Sequence, residues 1–335
     1  RPHFKTHQSL EIGLWFKEAG VSKITVSSID MAEYFAKDWN NITVAFPLNI
    51  LEIDTINKLA SKVTLNVLVE SVFTAEFLMT HLKHSVNFLI KLNIGNGRTG
   101  LLPSNTGTID AILKVTKTSD VLQFMGFLGH AGQTYKCRNK AEIIKIHDKA
   151  KSEILAIKNL YENQYPELIA SYGDTPSCSV VDDFGGLDEL RPGNFVFYDV
   201  MQVQIGDCSY NDIAVAMACP IVSIHKDRSE MIIYGGGIHF SKDRIVDNEK
   251  LVFGQVAQNN GATWNDVIPN MYLKALSQEH GVVSVPKALI DKYTIGDIIY
   301  VLPVHFILKN IESLNFPSRC TLVKYFNFGF VCQIF

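Results

Sequence analysis

Lys5 stands in the heptapeptide RPHFKTH at residues 1 to 7, at the end of a run with strand character. A lysine with a pKa near ~10.4 is a protonated amine and no nucleophile, but one desolvated beside other cations loses its proton and condenses with carbonyls. In an α/β barrel the C-terminal ends of the strands meet at one mouth, so a strand-end lysine is placed for that chemistry. His3 and His7 alternate with Lys5 and are expected on its face. By position alone Lys5 reads first as an ordinary surface lysine, and its context has to decide. Gly173-Asp174-Thr175 after one strand and Gly235-Gly236-Gly237 after another offer backbone N–H groups open to close approach, and Thr175 adds a hydroxyl. Such loops hold anions without much net charge. A strand-end lysine together with two such loops points to a phosphorylated carbonyl cofactor, pyridoxal phosphate foremost.

The elements that must position these groups follow from the rhythm of the chain. Residues 1–6, 23–27, 41–46, 63–69, 86–92, 122–128 and 168–172 are rich in Val, Ile and Phe and read as strands. Helical periodicity fills residues 11–19, 31–37, 53–61, 74–81, 107–117 and 140–161. Strand and helix in alternation build a parallel sheet, and seven strands fall one short of a closed (β/α)8 barrel. The simplest completion is an eighth strand upstream of Arg1, so the native chain is expected to carry a segment there. Beyond about residue 199 the rhythm changes to strands separated by turns, at 214–225, 231–234, 250–255, 281–286 and 298–303, with Gly261, Pro269, Gly281, Pro286 and Gly296 supplying the turns. The aromatic, apolar tail 325–335 reads as a covered edge strand. Residues 1–200 are thus expected to form an α/β barrel and residues 201–335 a mainly-β domain.

Composition narrows the class. The 335 residues are 47% hydrophobic and 19% charged, enough apolar material for a sizeable core and too few charges for disorder. A formal charge of −3, with scattered basic residues, excludes a phosphate-backbone partner, so no nucleic acid is expected. No apolar run reaches the ~18 to 20 residues that span a bilayer, and no signal segment opens the chain, which predicts no membrane association. The six cysteines form no CxxC pair, consistent with reduced thiols and a cytoplasmic location.

The motif set resembles the D-threonine aldolase and D-serine dehydratase family, whose barrel is similar to that of alanine racemase. The resemblance runs nearly end to end, through RPHFKTH (1–7), KLNIGNGRTG (91–100), GFLGHAGQTY (126–135), SYGDTPS (171–177), ELRPGNFVFYD (189–199), GGGIHFSKD (235–243), QEHG (278–281) and PVHF (303–306). It implies that Lys5 carries pyridoxal phosphate as an aldimine and that Arg98 and Tyr135 hold the pyridine ring. Gly173, Asp174 and Thr175 match the family's phosphate segment, with Gly235 and Gly236 in the matching loop of the second domain. Arg98 also reads as a turn cap, and the Tyr135 ring as core. Asp174 stands where many members have Ser, Gln133 where the family often has His, and Gln8 in place of the usual lysine. His305 matches a histidine that binds a divalent metal with a Cys or Asp two residues on. That second position is Ile307, which has no donor atom, so the implied metal site is incomplete.

The activity implied is a lyase on D-3-hydroxy amino acids, by retro-aldol cleavage or by β-elimination. With one metal ligand replaced, activation of the substrate hydroxyl is expected to pass to His130, His280 or His305. Racemisation, which needs a base on each face of Cα, and cofactor binding without turnover are the alternatives. The resemblance also implies a homodimer acting on a small D-amino acid.

Overall fold

Serine and asparagine begin most of the helices that surround the first sheet. Ser9, Ser28, Ser71, Asn105 and Asn139 each accept a hydrogen bond from the amide three residues on, which satisfies a backbone donor the helix itself cannot. The helices so capped are Leu10–Glu18, Ile29–Phe35, Val72–His81, Thr106–Thr116 and Lys140–Tyr161. The computed structural model describes residues 1–259, 264–305, 321–326 and 330–333, which fall into two units, Arg1–Gly193 and Asn194–Phe335.

The strands between these helices are β1 (Ile24–Val26), β2 (Asn41–Pro47), β3 (Thr64–Val69), β4 (Val86–Leu92), β5 (Leu122–Gly129), β6 (Ile169–Tyr172) and β7 (Glu189–Leu190). They pair in parallel, in sequence order, as one curled sheet of alanine racemase-like architecture. Its edges are joined through the first residues of the chain. Phe4 N donates to Thr25 O (2.8 Å) and Thr25 N to Pro2 O (2.9 Å), while on the other side His3 N donates to Pro192 O (2.8 Å). β7 is a stave that is not among the seven expected strands. Two residues are too few to show a strand pattern, which is why the sequence does not reveal it.

Side chains along these strands alternate between the surrounding helices and the interior. Outward-facing Val67, Phe88, Ile90, Phe127 and Tyr172 belong to the main core with Phe4, Phe35 and Trp39. The interior is layered. At the N-terminal end lies a polar network in which Arg1 Nε pairs with Glu189 Oε1 (2.8 Å) and Ser171 Oγ donates to Glu189 Oε2 (2.9 Å). In the same layer Asn87 donates to Asn66 Oδ1 (3.0 Å) and Asn66 to Asn41 Oδ1 (3.1 Å). Leu68, Leu89 and Leu128 form the apolar layer above it. Two residues further on along β4, β5 and β7 come Lys91, His130 and Arg191, at the mouth.

The second unit is antiparallel. Strands Ile298–Pro303, Gly254–Asn259, Trp264–Leu276, His280–Ser284, Glu230–Tyr234 and Val215–His225 pair in that order, and the last pairs again with the first, closing a ring. The strand Trp264–Leu276 crosses the turn expected at Pro269. Between Val267 and Tyr272 the register against Ala257 and Gln255 slips, a bulge that accommodates Pro269 and the left-handed Asn270 (φ 60°). Strands Thr321–Phe326 and Phe330–Gln333 extend the sheet, and the remainder of the expected tail strand lies outside the described residues. Among the described residues no helix is long and apolar enough to cross a membrane.

Candidate active site

Lys5 reaches the mouth because Phe4 does not. The Phe4 ring packs outward against Phe16, Phe35 and Trp39, with centroids 5.0–5.2 Å away, and so turns its neighbours His3 and Lys5 the other way. Burial, and then the nearby Arg98 guanidinium, lower the Lys5 pKa and move the amine toward its nucleophilic form. His3 is half-buried beside it and held well below its ordinary pKa by desolvation and by Lys5, Arg191 and His130. The expectation that His7 shares this face is corrected. Residues 4–7 turn rather than extend, and the His7 ring lies 4.4 Å from Phe4 and stacks on Phe16, inside the aromatic core.

Two further cations line the mouth. Lys91 is buried, donates to Leu92 O (3.0 Å), and has its pKa lowered to about 7 by desolvation and by Arg191, against the opposing field of Glu70. Arg191, also buried, donates to Gly129 O and Ser171 Oγ and is lowered to about 10 by desolvation. The sequence gave neither residue a role, although both stand in quoted motifs. The signal that finds them is the period of two, since Lys91 follows the interior Leu89 and Arg191 follows the interior Glu189.

His130 comes from the end of β5. Its Nδ1 donates to Gly173 O (2.6 Å), and burial, with further lowering by Lys5, Lys91 and Arg191, brings its pKa to about 3. Burial thus disfavours the imidazolium, and the bond to Gly173 O fixes the plane of the ring. Tyr135 lies on the short helical turn Gly132–Lys136, its ring centroid 6.5 Å from that of His130. Arg98 is exposed on the loop after β4, close enough to Lys5 and Lys91 to lower the pKa of each.

The segment after β6 needs glycine at 173, because a Cβ there would come within 2.7 Å of the Arg191 backbone. Thr175 Oγ1 accepts from Gly193 N (3.3 Å), which brings the ends of β6 and β7 together as an anion-sized corner. The Asp174 side chain serves the segment's own fold: its Oδ1 caps the helix Thr175–Val180 through Ser177 N (2.8 Å) and accepts from Thr134 Oγ1 (2.9 Å), and burial raises its pKa.

Gly235 and Gly236 lie in the second unit, where the amides of residues 235, 236 and 237 donate to Glu279 O, His239 Nδ1 and Ser277 O. Their lack of side chains serves packing, since a Cβ would meet Cys219 Sγ at 2.8 Å or Gln278 O at 2.4 Å. His305 Nδ1 bonds Asp199 Oδ2 (2.8 Å), and that buried carboxylate also accepts from Asn194 Nδ2 (2.6 Å). Ile307 lies outside the described residues. Among the described residues no cluster of three or more His, Cys, Asp or Glu could hold a metal, and the His305 and Ile307 pair offers one donor. The donor set does not fit the implied divalent ion.

A buried lysine with lowered proton affinity, cations on three strand ends and a bare-backbone corner define a site for an anionic carbonyl compound, the class to which pyridoxal-phosphate enzymes of α/β-barrel fold belong. The comparisons agree. Residues 214–307 match the family model described as a putative serine dehydratase domain. The chain is 30% identical to a D-serine dehydratase of Dictyostelium discoideum, over 91% of this chain and 82% of that one. The D-threo-3-hydroxyaspartate dehydratase of Delftia sp. HT23 superposes with a TM-score of 0.84 at 24% identity, covering 91% and 83% of the two chains. D-Threonine aldolase of Filomicrobium marinum (TM-score 0.73, 19% identity, 91% and 80%) and alanine racemase of Clostridium difficile 630 (0.58, 13%, 87% and 74%) share the fold. The chain belongs to the D-serine dehydratase family of pyridoxal-phosphate lyases.

Proposed function

We propose that the chain eliminates water from D-3-hydroxy amino acids, with Lys5 carrying the cofactor. The observation that supports this most is the lowered proton affinity of Lys5 beside Arg98. The mouth fits pyridoxal phosphate: the Thr175 hydroxyl and the Gly173 backbone would offer the phosphate corner, Arg98, Arg191 and Tyr135 would hold the ring, and Lys91 adds positive charge. Bound there, the cofactor supplies an electron sink for the bond broken at Cα. Lys5 Nζ, freed when the substrate amine takes its place on the cofactor, would be the base for the Cα proton, and burial with the Arg98 field moves it toward the deprotonated form. His130, neutral and fixed by Gly173 O, keeps the ring plane without competing for that proton.

His305 is the candidate to protonate the leaving hydroxyl, with its ring oriented by the buried Asp199 carboxylate. Family membership favours elimination over racemisation or cofactor storage. Exposed Phe46, Leu51, Phe73 and Leu102, grouped at or after the ends of β2, β3 and β4, support a homodimer that covers this rim. The free thiols of Cys137, Cys178 and Cys208 support a reducing, cytoplasmic setting.

The test is turnover by purified protein loaded with pyridoxal phosphate on D-serine, D-threo-3-hydroxyaspartate and D-threonine. Ammonia and a 2-keto acid are expected from at least one of them. Glycine plus aldehyde would replace elimination with aldol cleavage. Exchange of the Cα proton without either product would overturn the lyase.

A further inference from the structure

Arg98 is exposed and its loop carries three glycines in the left-handed region, Gly95 (φ 115°), Gly97 (70°) and Gly100 (101°). Such a loop loses much freedom on ordering, so something must hold it if Arg98 is to meet a ligand in one place. Two of its fastenings come from the strands beneath. Asn93 Oδ1 accepts from Gly95 N (3.2 Å) and Gly97 N (2.9 Å), and Glu70 Oε2 accepts from Gly100 N (3.0 Å). The third comes from a different element. Gln133, on the turn Gly132–Lys136, donates from Nε2 to Ile94 O (2.8 Å), and an ideal Cβ at Gly95 would lie 2.5 Å from that same nitrogen. The neighbouring Gly132 would in turn press a Cβ to 2.8 Å from the Asn96 side chain. Gln133 Oε1 is buried and bonds nothing among the described residues, so the side chain is anchored through its nitrogen.

We propose that Gln133 is a positioning residue that clamps the loop after β4 and thereby fixes Arg98 against the cofactor. The clamp couples the β5 end, which carries His130 and Tyr135, to the loop that carries Arg98, so the groups around the cofactor ring are set as one body. The inference rests on the proposed role of Arg98. It also gives the departure from histidine at 133 a physical content: glutamine supplies the donor to Ile94 O with no charge that titrates beside Arg98.

The experiment is a titration of pyridoxal phosphate into apo-protein, followed by the visible absorbance of the lysine-bound cofactor, for the wild type, Gln133→Ala, Gln133→Met, Arg98→Ala and the double variant Arg98→Ala/Gln133→Ala. Loss of one neutral hydrogen bond that positions a binding group is expected to raise the cofactor's Kd about three- to tenfold. Met keeps the volume without the donor and should weaken binding as Ala does, with unchanged melting of the apo-protein. In the Arg98→Ala background, Gln133→Ala should add less than twofold, because the residue it positions is gone. Full additivity, an unaffected Gln133→Met, or a normal Kd in both single Gln133 variants would overturn the clamp. A normal Kd in Arg98→Ala would overturn it too, by removing what it acts through. Absence of the lysine-bound absorbance in the wild type would instead overturn the cofactor reading itself.

Discussion

Lys5 and Lys91 share one mouth and one physical condition: both amines are desolvated among cations, and both have lost proton affinity. For Lys91 this has a measurable cost. Unfolded, the amine holds its proton to ~10.4, and folded only to about 7. Between those values the unfolded chain binds more protons, so its contribution to stability rises with pH from about 7 upward and is unfavourable below. Lys91→Met, similar in volume and without the charge, should therefore stabilise apo-protein at pH 7 by about 1–4 kcal/mol, and flatten its stability between pH 7 and pH 10. Urea denaturation across that range checks this. An unchanged pH dependence would mean that Lys91 is not the buried, strained cation described. Activity should fall in the same variant, since it removes positive charge from the mouth.

At the scale of elements, β5 carries a bulge that sets the phase of its end. Phe88 pairs with Phe124 but Leu89 pairs with Gly126, so Met125 is the extra residue, and Gly126 sits at φ 139° with no room for a Cβ, which would lie 2.1 Å from Ile169 O. The bulge brings Leu128 into the interior layer and His130 to the mouth. Gly126→Ala should cost about 2–4 kcal/mol in denaturant unfolding and displace His130 from Gly173 O; a neutral substitution would contradict the bulge. Most barrel strands and helices were legible because their apolar periods are long and their caps are Ser or Asn at the right spacing. What stayed hidden was short or broken. β7 has two residues, and Trp264–Leu276 runs through a proline that ordinarily ends a strand. At the site, the motifs name Lys5, Arg98 and Thr175 as candidates. The contacts that hold His130 on Gly173 O, make Asp174 a helix cap and engage the amides of residues 235–237 come from residues distant in sequence or from packing, which no local pattern carries.

At the scale of the whole molecule, each unit has its own core, the first around Phe4, Trp39, Phe88 and Phe127, the second around Val252, Trp264 and Leu302. The exposed apolar residues gathered near the barrel mouth are what a second copy would cover. Phe46→Glu should shift the sedimenting species toward monomer and lower turnover without loss of the apo-protein's folded signal. A dimer unaffected by the change would place the interface elsewhere.

The central claim is that Lys5, and not the buried Lys91, carries the cofactor. It is tested most directly by loading the protein with pyridoxal phosphate, reducing with borohydride and mapping the modified peptide by mass. The account predicts the added mass on Lys5, in the segment 1–7, and its loss in Lys5→Ala. The same mass on Lys91, or none on either lysine, would contradict it.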